Sequence, residues 1–133
     1  MPGMNMPCIW VVEDNEIFRS VLMAQLESRQ FRVRGFPDLQ EVLASLGGPL
    51  PATIVADVLM EGGGGLELID RLTAVDLKIP VVLMSGSDDP ELHRRALGQG
   101  AVAFLRKPFD VKDLLGVLEH VRSGTPSQGL LPS

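Results

Sequence analysis

Short apolar runs recur along the chain at residues 9–12, 31–36, 53–56, 81–84 and 101–105. All but the second are near-continuously apolar, the pattern of a strand buried on both faces, as in parallel sheets. The second, Phe31-Arg32-Val33-Arg34, alternates as an edge strand does. Between the runs, apolar residues fall at helical spacing: Ile17, Val21 and Ala24; Leu39, Val42, Leu43 and Leu46; Leu66, Ile69 and Leu72; Leu92, Ala96 and Leu97; Val111, Leu114, Leu115 and Leu118. Start signals accompany three of these segments: Asp38 three before Glu41, Asp89 before Pro90, and Asp110 three before Asp113. Gly98 and Gly100 stop the fourth helix, which reads as the least amphipathic and is expected to pack weakly. Strands alternating with helices, joined by right-handed crossovers, predict an α/β fold: a doubly wound (βα)5 flavodoxin-like sandwich. Its five-stranded parallel sheet takes the order 2-1-3-4-5, with the alternating strand outermost.

The 133 residues suit one domain, expected over 8–123, with an N-terminal extension at 1–7. Residues 124–133, rich in Gly, Pro, Ser and Thr, read as a flexible tail or truncated linker, and the four glycines at 62–65 as a mobile, disordered turn. No apolar run approaches the ~20 residues of a membrane span. Seventeen acidic residues against 12 basic ones give a net charge of -5 without a basic block, which argues against direct nucleic-acid binding. Cys8 is the single cysteine and the N-terminus lacks a secretion-signal pattern, so the expected compartment is the cytoplasm.

In an open parallel sheet, ligands sit beyond the carboxyl ends of the strands. The first run is followed by Glu13 and Asp14, the third by Asp57, the fourth by Ser85, and the fifth by Arg106, Lys107 and Pro108. Strands ~4.8 Å apart bring three acids, a hydroxyl and a lysine to one rim. Clustered carboxylates either protonate or recruit a cation, and oxygen donors without nearby His or Cys suit magnesium, with manganese as the alternative. Taken singly, Glu13 and Asp14 could be helix caps, Ser85 a strand-end hydroxyl and Lys107 a solvated lysine. Asp57 resists such a reading, because it ends the most central strand, where an unpartnered charge is costly.

The chain resembles the receiver domain of two-component response regulators through Val11-Val12-Glu13-Asp14-Asn15, Ile54-Val55-Ala56-Asp57-Val58-Leu59-Met60, Val82-Leu83-Met84-Ser85-Gly86 and Gly100-Ala101-Val102-Ala103-Phe104-Leu105-Arg106-Lys107-Pro108-Phe109. The resemblance implies that Asp57 is the phosphoacceptor, and that Glu13, Asp14, Asp57 and the Leu59 backbone carbonyl hold the metal. It also implies that Ser85 and Lys107 bind phosphoryl oxygens, that Ser85 and Phe104 form the switch, and that the Lys107-Pro108 bond is cis. The implied donor is a sensor histidine kinase or a histidine phosphotransfer protein. The altered surface would be the fourth helix, fifth strand and fifth helix, available to a second copy or an output domain. Such a domain is no enzyme toward other substrates; it catalyses only its own phosphorylation and dephosphorylation.

The main departures from that pattern are Glu61, where a proline commonly follows the phosphoacceptor by four, and the glycines after it; Ser85 for the commoner threonine and Phe104 for a tyrosine or histidine are mild ones. A flavodoxin-like mononucleotide binder would need a Gly, Ser or Thr phosphate loop where Glu13 and Asp14 stand, and a haloacid-dehalogenase-type phosphatase would need a second acid where Leu59 stands. The remaining alternative is a receiver-like interaction module that is never phosphorylated.

Overall fold

The computed structural model describes residues 6–123. The expected tail at 124–133, and all of the N-terminal extension except Met6 and Pro7, lie outside the described residues. The chain runs β1 (Cys8–Val12), α1 (Glu16–Glu27), β2 (Arg32–Phe36), α2 (Leu39–Ala44), β3 (Thr53–Asp57), α3 (Gly65–Ala74), β4 (Val81–Ser85), α4 (Pro90–Gly98), β5 (Ala103–Arg106) and α5 (Val111–Ser123). The strands form one parallel sheet in the order β2-β1-β3-β4-β5, as the alternation of runs predicts.

Strand side chains alternate between two faces, and each face has its own core. Trp10, Val12, Ile54, Ala56, Leu83 and Phe104 share one with Val42 of α2, Leu68 and Leu72 of α3, and Leu92 and Ala96 of α4. Ile9, Val11, Val55, Val82, Met84 and Leu105 share the other with Leu22 and Leu26 of α1 and with Leu114, Val117 and Leu118 of α5. β3 and β4 are buried at every position, whereas β2 alternates between exposed and partly buried until Phe36, as its edge place requires.

Three expectations change. In α1 the stripe Ile17, Val21 and Ala24 faces solvent, with Ile17 76% exposed, while Leu22 and Leu26 are buried and Phe18 and Met23 pack beside them. Two apolar stripes overlap on this helix, and the bulkier one lies on the sheet. The fifth strand begins at Ala103 rather than 101, because Gly100 at φ 112° and the Ala101 N–H donating to the Ala96 carbonyl (3.2 Å) still belong to the end of α4.

The glycine run, expected to be disordered, leads into α3 through a turn that is closely packed from Gly63 onward, while a Cβ at Gly62 would meet nothing within 4 Å. A Cβ on Gly64 would lie 2.2 Å from the Val58 carbonyl oxygen, and one on Gly65 would lie 2.1 Å from Leu83 Cδ2. Glycine is favoured at 64 by the backbone just beyond β3 and at 65 by the buried Leu83 side chain of β4, and the Gly63 N–H closes the turn on the Met60 carbonyl at 3.2 Å.

Candidate functional site

β1 and β3 are neighbours with Val12 opposite Ala56, so Glu13 and Asp57 leave adjacent central strands at the same height. Both are buried, at 1% and 8% exposure. Neither serves as a helix cap. α1 is capped by Asn15, whose side-chain oxygen accepts the Phe18 N–H at 2.9 Å, leaving the preceding acids for other work. One Glu13 carboxylate oxygen accepts the Asn15 N–H (3.0 Å), while the Glu13 carbonyl accepts from Arg19 Nη1 (2.6 Å). Asp57 Oδ1 accepts the Leu59 N–H at 3.0 Å.

Lys107 joins the two acids. Its Nζ donates to Glu13 Oε1 at 2.6 Å and to Asp57 Oδ2 at 2.7 Å, and it lies 4.3 Å from the centroid of the Phe18 ring. The lysine is positioned at its base by its own N–H, which donates to the Ser85 carbonyl at 2.7 Å, and the Lys107–Pro108 peptide bond is cis. Burial pushes the Glu13 carboxyl above its ordinary value; hydrogen bonds from Lys107 and Asn15 and the lysine's charge offset this only in part, and the Asp57 charge adds to the rise. For Lys107 burial works to lower the value, but hydrogen bonds to Asp57 and Glu13, together with their charges, outweigh it and the net shift is upward.

Ser85 ends β4 with 2% exposure, one residue beyond the position paired with Asp57, and its hydroxyl accepts the Ser87 N–H at 3.0 Å. Phe104 is 4% exposed on β5, opposite Leu83. Asp14 remains exposed at the rim, and the Leu59 side chain is exposed while its backbone turns beside Asp57. Glu13, Asp57 and Lys107 are thus brought together, with Ser85 on the adjoining strand end. Among the described residues no three Asp, Glu, His or Cys side chains gather into a group that could hold a metal ion; Asp14 is exposed, and the Lys107 ammonium bonds both of the other two carboxylates. The donor set still suits a hard cation: two buried carboxylates converge, an exposed third follows in sequence, and every donor is oxygen.

Two contributors escape the sequence reading. Phe18 gives Lys107 an aromatic face, which a helical pattern alone cannot distinguish from core packing. His93 stacks on Phe104 with ring centroids 4.6 Å apart and planes 13° apart. Its placement four before Leu97 and one after Leu92 borders the buried stripe of α4, which was the available signal.

The chain matches the response regulator receiver domain over residues 9–119. It is 36% identical over 120 residues to the transcriptional regulatory protein FixJ of Bradyrhizobium diazoefficiens, covering 90% of this chain and 58% of FixJ. It is 31% identical to the DNA-binding transcriptional regulator NtrC of Salmonella typhimurium, covering 86% of this chain and 24% of NtrC. The chain therefore spans little more than half of one relative and a quarter of the other. Among solved structures, full-length FixJ from B. japonicum aligns with a TM-score of 0.84 at 32% identity, over 95% of this chain and 61% of that one. The beryllofluoride-activated NtrC4 receiver domain dimer aligns at 0.83 and 28%, over 90% and 98%. With the fold, the rim of acids and the matched span in agreement, the chain belongs to the response regulator receiver domain family of two-component signal transduction.

Proposed function

We propose that Asp57 is the phosphoacceptor of this receiver domain and that the rim around it carries out the transfer. The observation that carries the reading is the Lys107 ammonium, 2.7 Å from Asp57 Oδ2 at the carboxyl end of the central strand. A carboxylate oxygen of Asp57 attacks the phosphorus of a phosphohistidine on a sensor histidine kinase or a histidine phosphotransfer protein. The P–N bond breaks, and its electron pair leaves on the imidazole nitrogen, which takes up a proton. Lys107 and the Ser85 hydroxyl bind the phosphoryl oxygens, where a fixed cation and a donor stabilise the charge shared among them. Glu13, Asp14, Asp57 and the Leu59 backbone carbonyl would hold magnesium or manganese, which supplies further neutralisation of charge on the transferring group. Water attacking the acyl phosphate breaks the P–O bond, restores the Asp57 carboxylate and releases inorganic phosphate. The domain thus catalyses only its own modification and its reversal.

Once the Ser85 hydroxyl turns toward a phosphoryl group, Phe104 can turn into the space beside it. That motion would alter the face formed by α4, β5 and α5, offering it to a second copy or to an output domain. FixJ and NtrC are transcriptional regulators much longer than this chain, and the NtrC4 receiver is a dimer when activated by beryllofluoride; both facts support an output role for that face. Phosphohistidine chemistry with a kinase partner fits the cytoplasm. Among the described residues no helix is long and apolar enough to cross a membrane.

Incubation with phosphoramidate and magnesium, followed by intact-mass spectrometry, tests the assignment. One added phosphoryl group, removed by hydroxylamine and lost in Asp57→Asn, is expected. An unmodified wild type, or an Asp57→Asn protein modified equally well, would sink it and favour an interaction module that is never phosphorylated.

A further inference from the structure

The least settled contact among the buried groups is on α4. His93 lies nearly parallel over Phe104 at 4.6 Å, a close stack, and its Nε2 is buried without any hydrogen-bond partner among the described residues. The polar atom therefore gains nothing from the position it occupies, and leaving such an atom unpaired is unfavourable. Both rings line a cavity of about 320 Å³ with Ser87 and Arg106, so neither is confined by packing on that side. Only Leu92 and Ala96 of this helix are buried.

We infer that His93 is a positioning residue for the switch: its ring latches Phe104 in the position seen here, and the unpartnered Nε2 keeps the latch weak. This rests on Phe104 moving as proposed above. Stacking is possible only while Phe104 stays against α4, so it stabilises the resting arrangement alone; if Phe104 turns toward Ser85, the 4.6 Å contact is lost and the imidazole is released into the adjoining cavity, where Nε2 can be hydrated. A contact present in one state only shifts the equilibrium by its full strength, which for an aromatic pair corresponds to roughly two- to tenfold. The two features of the ring then act in opposite senses. Removing it frees Phe104, whereas replacing it with a ring that has no polar atom tightens the latch.

The test uses beryllofluoride with magnesium as the phosphoryl mimic on the whole chain. Its apparent affinity is measured in wild type, His93→Ala and His93→Phe, and the His93 ring protons are followed by NMR. The chain has two histidines, and the His93 signals are those missing from the variants. The expected results are an upfield-shifted His93 ring in the resting wild type that relaxes on saturation, about two- to tenfold tighter binding by His93→Ala, and weaker binding than wild type by His93→Phe. A merely structural role would move both variants in one direction and leave the wild-type ring shift unchanged on saturation. If His93→Ala does not fold, His93→Phe, which preserves ring volume, decides the matter by the sign of its change. Variants that bind as wild type does, while the wild type responds, overturn the latch alone. A wild type that does not respond overturns the latch together with the phosphoacceptor reading.

Discussion

Replacing Lys107 with methionine keeps most of the side-chain volume and removes the charge between Glu13 and Asp57. Those carboxylates are 1% and 8% exposed, and the lysine side chain is 20% exposed, with contacts of 2.6 and 2.7 Å. Removing one member of a buried ion pair costs about 3–5 kcal/mol, because the charge left behind is uncompensated. Water reaches a fifth of this lysine, which places the loss near the lower end, about 3 kcal/mol at neutral pH. For a chain of this size that corresponds to a fall in melting temperature of roughly 10 °C.

The loss depends on pH in a direction set by the two shifted groups. Glu13 is already raised above 4.5 by burial, and losing Lys107 removes its main opposing influence, so the variant's Glu13 rises further. An acid whose folded value exceeds its unfolded one contributes stability that is present below the unfolded value and lost as pH climbs through the folded value. The deficit of Lys107→Met therefore opens as pH climbs past the raised Glu13 value of the wild type and grows until the still higher value of the variant is passed. Lys107 itself is raised above 10.5, so its contribution in the wild type is fully present below that value and is lost as pH rises through the raised one; the gap between the proteins closes again in alkali. Urea melts of both proteins, read by the fluorescence of buried Trp10, give this profile directly. A variant as stable as wild type near pH 8, or a deficit that is flat from acid to alkali, would refute the reasoning.

Gly65→Ala should lose about 1–3 kcal/mol in the same melts, because its Cβ would lie 2.1 Å from Leu83 Cδ2; a gain of the ~1 kcal/mol that alanine normally brings to a helix would mean the turn is not packed as described. Asn15→Ala should lower stability by about 1 kcal/mol through loss of the 2.9 Å cap on Phe18, measurable as a fall in urea midpoint with unchanged slope. Millimolar magnesium should raise the melting temperature of the wild type and raise that of Lys107→Met further, since the ammonium no longer competes for the same carboxylates, and a chelator should reverse both. Equal shifts in the two proteins would count against a shared site.

The strand order and the acid rim were legible because both depend on where polar residues interrupt apolar runs. A buried strand tolerates no charge until its end, so Glu13, Asp57 and Ser85 mark strand termini and ligand-facing positions at once. The turn at Gly64 and Gly65 was not legible in the same way. A run of glycines is consistent either with looseness or with a close approach that leaves no room for a Cβ, and only the 2.2 Å encounter with the Val58 carbonyl and the 2.1 Å encounter with the Leu83 side chain distinguish the two.

The helices show a further limit, with a consequence for the switch. Helical periodicity names a stripe but not which of two stripes is buried: α1 carries Ile17, Val21 and Ala24 on one and Phe18, Leu22 and Leu26 on the other, and bulk decides in favour of the second. On α4 the contact with Phe104 is made by His93, whose polar ring belongs to no apolar stripe. A helix held by two buried apolar side chains and a histidine stacked on Phe104 has little to lose by shifting, because part of its anchorage is a contact with the very residue proposed to move. The feature that made α4 hard to read, a shortage of apolar residues, is thus the same feature on which the proposed switch draws: a helix poor in apolar side chains gives up little buried surface when it shifts.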